Sequence, residues 1–145
     1  MFRHILIPTD GSLLSAAAVE SSIGLARDAG AKVTVVMVVE PFQLWWTQSA
    51  QPPEGTAAVL DHANDGIRHH LAEVERKAKA HGVPCTVLQI EHEHPYRAII
   101  DTAEKSGCDL IAMASHGRRG VSALVVGSET TKVLTHSSIP VLVYR

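Results

Sequence analysis

The chain has 145 residues, the size of a single domain with one hydrophobic core. Apolar residues make up 46% of it and aromatic residues 4%, so valine, isoleucine, leucine and alanine are expected to form that core. A formal net charge of -2 gives no basic field for nucleic acid, and no apolar run approaches the ~20 residues of a membrane span. We therefore expect one globular domain over residues 1–145 that binds neither nucleic acid nor membranes.

Short apolar runs alternate with segments of helical periodicity along the chain. The turn signal Thr9-Asp10-Gly11 ends the first apolar run, and Gly30 ends the first helical segment. Lys32–Val39 is apolar on both faces, as expected of a central parallel strand covered on two sides. The predicted elements are strands at 5–8, 32–39, 85–90, 109–113 and 141–144, helices at 12–29, 57–81, 95–107 and 128–135, and a long loop at 41–55.

This alternation predicts an α/β protein with a doubly wound, five-stranded parallel sheet and helices on both faces. In such sheets, ligands bind beyond the carboxyl ends of the strands, where the strand order reverses. Two segments with unusual chemistry follow strands at that edge, Pro8-Thr9-Asp10-Gly11 and residues 114–127. A ligand site is therefore expected between these two segments.

The glycine-rich segment at 113–130 has the composition of a phosphate-binding loop. Glycine permits positive φ and close approach of backbone amides to a phosphate. Ser128 is a favoured N-cap, so the amides of Ser128, Glu129 and Thr130 should project from a helix start. Arg118-Arg119 would add charge-assisted contacts to outer phosphates. The same residues also fit a plain turn followed by a capped helix.

Over its whole length the chain resembles the universal stress protein family, from Pro8-Thr9-Asp10-Gly11-Ser12 to the closing Ile139-Pro140-Val141-Leu142-Val143. The nucleotide-binding branch of that family has a glycine, two residues, a glycine, nine residues and then Gly-Ser or Gly-Thr. Gly117 and Gly127-Ser128 have this spacing, while Ala114 replaces the first glycine. Alanine costs little there if φ is negative and more if φ is positive. The pattern and the resemblance together imply the strand order 3-2-1-4-5.

The resemblance further implies an adenine nucleotide, ATP or AMP/ADP. Pro8, Thr9 and Asp10 would line one side of the nucleotide, and Val38 would present its backbone to the adenine. Met113 and Ala114 would flank the ribose, and the phosphates would be held by Gly117, Gly127, Ser128, Glu129 and Thr130, with Arg118 nearby. The resemblance also implies a homodimer through the C-terminal strand, whose apolar edge is a template for pairing.

Two carboxylates at this site need an explanation. A carboxylate ~4 Å from a phosphate is repelled by ~4 kcal/mol at an effective dielectric constant near 20. Asp10 is therefore expected to share Mg²⁺ with the phosphates or to hydrogen-bond the ribose or base; the alternative is a plain turn residue. The side chain of Glu129 is expected to turn outward while its amide binds.

Efficient catalysis is not expected, because the chain has neither a GxxxxGK[ST] phosphate loop nor a Gly-x-Ser-x-Gly elbow. We predict a nucleotide-responsive stress regulator that is not an enzyme, with slow ATP hydrolysis as a side reaction. The alternative is a nucleotide-free dimeric interaction protein of the same family. A phosphate-accepting receiver domain is disfavoured because no acidic cluster accompanies Asp10.

Three further features of the sequence are compatible with ordinary structural roles. Cys85 and Cys108 fit no metal spacing and are expected to be buried thiols of a reducing compartment, which indicates the cytoplasm. His92 and His94 share one face of a strand end, but without an apparent third ligand they are interpreted as surface histidines. The Trp45-Trp46 pair fits either a partner-docking patch or a loop folded back on the core.

Overall fold

A computed structural model describes residues 1–41, 56–116 and 126–145 of the chain. The described strands are β1 (His4–Pro8), β2 (Lys32–Val39), β3 (Cys85–Glu91), β4 (Leu110–Ala114) and β5 (Val141–Tyr144). The described helices are α1 (Leu13–Ala29), α2 (Thr56–Ala80), α3 (Pro95–Lys105) and α4 (Ser128–His136). All nine elements were predicted from the sequence, with bounds that differ by one or two residues at most. The loop predicted at 41–55, with its tryptophan pair, lies outside the described residues from position 42 onward.

All strand pairs in the sheet are parallel, and the spatial order is β3-β2-β1-β4-β5. The register pairs Ile5 with Val33 of β2 and with Leu110 of β4. β5 pairs with β4 and forms one edge of the sheet. The predicted class, parallel pairing and strand order are therefore confirmed.

Two hydrophobic cores cover the two faces of the sheet, because successive strand residues point to opposite sides. Ile5 and Ile7 belong to the core beneath α1 and α2, whereas Leu6 belongs to the core beneath α3 and α4. The first core is built from the residues Ile5, Ile7, Val19, Ile23, Ala26, Val33, Val35, Leu71, Val74, Leu110 and Ala112, among others. The second core contains Leu6, Val36, Ile99, Ile100, Ile111, Met113 and Val133.

The helix that follows β1 begins and ends at the residues that its sequence signals predict. The Ser12 hydroxyl accepts a hydrogen bond from the Ser15 amide over 3.2 Å, so Ser12 is the N-cap of α1. Gly30 ends α1 with a φ of 66°, a left-handed conformation that glycine adopts without strain. These two signals fix the length of α1 and thereby the position of the turn at residues 9–12.

The two thiols are free, and the sequence prediction for them is only partly correct. Cys108 is buried, whereas Cys85 is partly exposed. Burial raises the pKa of each thiol to about 11, with Glu75 adding to the effect at Cys85 and Asp109 at Cys108. Both groups are therefore protonated and weakly nucleophilic at neutral pH.

None of the described helices is long and apolar enough to span a membrane.

Candidate functional site

A cavity of about 400 Å³ opens at the carboxyl ends of β1 and β4, where the strand order reverses. Its walls come from β1, β2, β4 and the first turns of α3 and α4. The predicted site residues that line it are Pro8, Thr9, Asp10, Val38, Met113, Ala114, Gly127, Ser128, Glu129 and Thr130. Gly117 and Arg118, which were also predicted, lie outside the described residues. The structure therefore brings every described member of the predicted set to one cavity.

Thr9 is the polar centre of the β1 side of the cavity. Its side chain is buried, and its hydroxyl lies 3.1 Å from the Ser15 hydroxyl and 3.1 Å from Nε2 of His70. The Gly11 amide donates to the same hydroxyl over 3.3 Å. The Thr9 amide in turn donates to the carbonyl of Val36 in β2 over 2.9 Å. These bonds hold the end of β1 against α1, α2 and β2.

Asp10 closes the turn between β1 and α1. Its Oδ1 accepts a hydrogen bond from the Ser12 amide over 2.9 Å, which is an Asx turn leading into the α1 N-cap. Asp10 is also one of the residues that line the cavity. Asp10 thus has the turn role that the sequence left as an alternative.

The β2 side of the cavity is mainly apolar. Val36–Val39 contribute to the lining, and Ile67 of α2 and Ile99 of α3 add branched side chains. Sequence reasoning named only Val38 from this group. No sequence pattern marks the other residues of this group, because their presence at the cavity depends on how the helices pack on β2.

The first turn of α4 is fastened to the end of β4 by two hydrogen bonds. The Gly127 amide donates to the carbonyl of Ser115 over 2.6 Å, and the Thr130 hydroxyl donates to the carbonyl of Ala114 over 3.0 Å. The N-cap of α4 is Gly127, so the prediction of Ser128 as N-cap is wrong by one residue. Ser128, Glu129 and Thr130 are the first three helical residues, whose amides have no carbonyl partner within an α-helix. That helix start faces the cavity and favours an anion.

Position 127 favours glycine because little room is left there for a side chain, and not because the backbone has an unusual conformation. Its φ is -59°, which any residue adopts, so of the two reasons given for glycine in this segment, positive φ does not apply at Gly127. A Cβ at position 127 would lie 3.0 Å from the carbonyl oxygen of Ser115, tighter than ordinary contact. The missing side chain therefore lets α4 begin close to the end of β4.

Ala114 is the last residue of β4 and is buried. Positive φ values occur only at glycines among the described residues, so Ala114 has the negative φ that alanine tolerates. The departure from the family's first glycine consequently adds no backbone strain.

The side chain of Glu129, which was expected to turn outward, is 37% exposed and is bonded to the neighbouring helix α3. Its Oε2 accepts a hydrogen bond from the Tyr96 amide at the start of α3 over 2.9 Å. Its Oε1 accepts one from Nζ of Lys132 over 3.1 Å. The carboxylate thus connects α4 with the start of α3, and Glu129 is one of the residues that line the cavity. The sequence does not show that these two helix starts are neighbours.

His116 was missed as a site residue. It lines the cavity, and its Nδ1 lies 2.9 Å from the Ser115 hydroxyl. Its Nε2 is buried and has no hydrogen-bond partner in the part of the chain that the structure describes. A ligand with a polar group in the cavity would satisfy this nitrogen. The sequence could have indicated His116 as a site residue, because it lies inside the glycine motif between Ala114 and Gly117.

In the described part of the chain, His92 and His94 at the end of β3 have no third side chain arranged to complete a metal site. His92 Nδ1 accepts a hydrogen bond from the His94 amide over 2.8 Å, and the two ring centroids are 6.1 Å apart. Within residues 1–41, 56–116 and 126–145, no group of three or more histidine, cysteine, aspartate or glutamate side chains is arranged to hold a metal ion.

The sequence model of the universal stress protein family matches residues 1–145. Universal stress protein MJ0531 of Methanocaldococcus jannaschii is 30% identical over 148 residues, which cover 100% of this chain and 83% of that protein. The solved structure of protein MJ0577 from the same organism superposes with a TM-score of 0.81 at 23% identity, covering 99% of this chain and 95% of that one. A universal stress protein solved in complex with cAMP superposes with a TM-score of 0.73 at 21% identity, covering 99% and 97% of the two chains. The chain belongs to the universal stress protein family.

Proposed function

We propose that this protein binds an adenine nucleotide in the cavity between β1 and β4 and acts as a nucleotide-responsive regulator. One observation carries the proposal: ten residues predicted from the sequence as nucleotide ligands line one cavity at the switch point of the sheet. The solved relative with cAMP has the same fold, but at 21% identity it supports the fold alone.

The chemistry of the walls fits the parts of a nucleotide. The aliphatic side chains of β2, α2 and α3 suit a purine ring, and the amides of Ser128, Glu129 and Thr130 suit a phosphate. The buried Nε2 of His116 supplies a polar group that needs a partner. A Cβ at Gly127 would lie 3.0 Å from the carbonyl oxygen of Ser115, so this glycine allows α4 to begin close to the end of β4 beside the proposed phosphate position.

We propose regulation without efficient turnover. The described residues that line the cavity include no lysine that could neutralise the negative charge of the phosphates during phosphoryl transfer. We therefore propose binding with at most slow hydrolysis, in a cytoplasmic homodimer joined through β5. A nucleotide-free dimeric interaction protein is the competing function.

Calorimetric titration with AMP and ATP tests the binding. Ser128 is exposed at the first position of α4, so Ser128→Glu adds a charge that suits a helix start but repels a phosphate. We expect Ser128→Glu to weaken nucleotide binding at least ~tenfold. The matched variant Ser128→Gln adds the same bulk without the charge and should bind within about threefold of the wild type. Failure of the wild type to bind either nucleotide would reject the proposal in favour of the nucleotide-free function.

A further inference from the structure

We infer that His70 of α2 is a positioning residue of the proposed nucleotide site, because its Nε2–H group donates to the Thr9 hydroxyl and holds that side chain in one rotamer. The inference rests on the proposed function and adds to it a residue that does not itself line the cavity. Removal of the Nε2–H donor should therefore weaken nucleotide binding through Thr9.

The His70 ring lies next to the end of β1. Its Nε2 is 3.1 Å from Oγ1 of Thr9. Thr9 is buried and lines the cavity, whereas His70 is partly buried and is not among the lining residues. Ile67, one turn earlier on α2, also lines the cavity, so this face of α2 is turned towards the site. His70 can consequently act on a ligand only through Thr9.

The protons of this network follow from the donors and acceptors that each group has. The Ser15 hydroxyl has one proton, which it donates to the carbonyl of Ser12 over 3.2 Å. The hydroxyl oxygens of Thr9 and Ser15 are 3.1 Å apart, so the proton between them comes from Thr9. The Thr9 oxygen can then only accept from His70, which requires a proton on Nε2. With the other tautomer of neutral histidine, one of these contacts would have no proton.

The Thr9 hydroxyl thus uses both of its lone pairs. One accepts from the Gly11 amide over 3.3 Å, a long contact, and the other accepts from His70 Nε2 over 3.1 Å. Without the Nε2 donor, the buried oxygen of Thr9 keeps only the weaker of these two bonds. The side chain can then occupy other χ1 rotamers, which change the shape of the cavity wall. The apparent affinity falls with the fraction of molecules that keep the binding-competent rotamer.

Two variants of His70 separate the hydrogen-bond donor from the bulk of the ring. His70→Leu removes the donor and keeps a branched side chain. His70→Gln restores an N–H donor at the end of the side chain. His69 is exposed on the same helix and does not line the cavity, so His69→Leu is the matched control. A thermal melt of each variant checks that the fold is intact.

The first measurement is calorimetric titration with AMP or ATP, whichever the wild type binds more tightly. We expect His70→Leu to bind about tenfold more weakly than the wild type and His70→Gln to bind within about threefold of it. His69→Leu should stay within about twofold of the wild type. In a Thr9→Val background, His70→Leu should change the affinity by less than about twofold, because the partner of Nε2 is already absent.

The second measurement is ¹⁵N NMR of the histidine rings in the ligand-free wild type at pH ~8, where histidine side chains are ordinarily neutral. The ring signals that are lost in His70→Gln identify His70. We expect these signals to show the proton on Nε2. If His70→Leu fails to fold, the tautomer and the affinity of His70→Gln decide the question.

Three results would overturn the inference. The first is a proton on Nδ1 and not on Nε2 of neutral His70. The second is equal nucleotide affinity in the wild type and a folded His70→Leu. The third is a folded His70→Gln that binds at least tenfold more weakly than the wild type, because the donor alone would then not restore the site. In each case, binding by the wild type leaves the proposed function standing. If the wild type binds neither AMP nor ATP, both the inference and the proposed function are rejected.

Discussion

The Thr130 hydroxyl donates a hydrogen bond to the carbonyl oxygen of Ala114 over 3.0 Å, and both residues are buried. This bond crosses from the first turn of α4 to the last residue of β4. It fixes the distance between the start of α4 and the end of β4, both of which line the cavity.

Thr130→Val should lower the free energy of unfolding by about 1–2 kcal/mol, because a buried acceptor loses its donor while the volume is kept. Urea denaturation measures the loss. Thr135→Val is the matched control, since the Thr135 hydroxyl bonds to the Thr131 carbonyl on the exposed side of α4. The control should stay within about 0.5 kcal/mol of the wild type. Equal losses in the two variants would show that the buried bond adds nothing.

Ala114→Gly should leave nucleotide affinity unchanged or slightly increased, because Ala114 already has a negative φ and only one methyl group is removed near the proposed ribose. Stability should fall by about 0.5–1 kcal/mol from the added freedom of the unfolded chain. Titration calorimetry and urea denaturation of the same variant measure both effects. A large gain in affinity would mean that alanine at this position obstructs the ligand.

The elements of the fold were predictable because each signal is local. Ser12 and Gly30 mark the two ends of α1 through local sequence alone. The apolar stretch Lys32–Val39 likewise indicates a strand covered on both faces. The alternation of elements then predicts parallel pairing, and the family resemblance supplies the strand order.

The details of the site were less predictable because they depend on contacts between distant segments. Glu129 reaches the Tyr96 amide across 33 positions of sequence, and no local pattern reports that α3 and α4 begin side by side. The same reason explains why Ile67 and Ile99 were missed at the cavity. Gly127 was predicted at the site and lines the cavity, but its close approach to Ser115 is visible only in three dimensions.

The proposed dimer is best tested at Val143. Leu142 and Tyr144 pack against the first core and Val141 against the second, so changes at these positions threaten folding. Val143 is the remaining residue of β5 and is partly exposed. Val143→Glu should convert a dimer into a monomer at micromolar concentration, because a charge disfavours pairing at a sheet edge. Light scattering measures the mass, and Val143→Ile should remain dimeric. A monomeric wild type would refute the dimer.

Asp10→Asn tests the proposed magnesium role of Asp10. The amide oxygen of asparagine can still accept the Ser12 hydrogen bond, so the turn should persist while the charge is lost. Titration with ATP should then show a Mg²⁺ dependence that is about tenfold weaker than in the wild type. Asp101→Asn, on the exposed side of α3, is the control for net charge. An unaltered Mg²⁺ dependence in Asp10→Asn would leave Asp10 as a turn residue alone.

His4 should make the stability of the fold depend on pH. Burial lowers the pKa of His4 below its ordinary value of 6.5, and the charge of Lys32 lowers it further, while the Ser106 backbone and Asp109 act in the opposite direction. The neutral ring lies 2.8 Å from the Thr34 hydroxyl through Nε2. Below pH 6.5 the unfolded chain binds a proton at this histidine more readily than the folded protein does.

The free energy of unfolding contributed by His4 is therefore fully present above pH 6.5 and is lost as the pH falls from 6.5 through the lower pKa of the folded state. Urea denaturation at a series of pH values from about 7.5 to 5 should show this loss in the wild type. His4→Gln removes the titrating group. The slope of the unfolding free energy against pH should therefore be smaller in this variant, whether or not the variant is less stable than the wild type. His69 is exposed on α2, so His69→Gln should keep the wild-type slope. If His4→Gln and the wild type lose stability in parallel over this range, the buried histidine is not the source of the pH dependence.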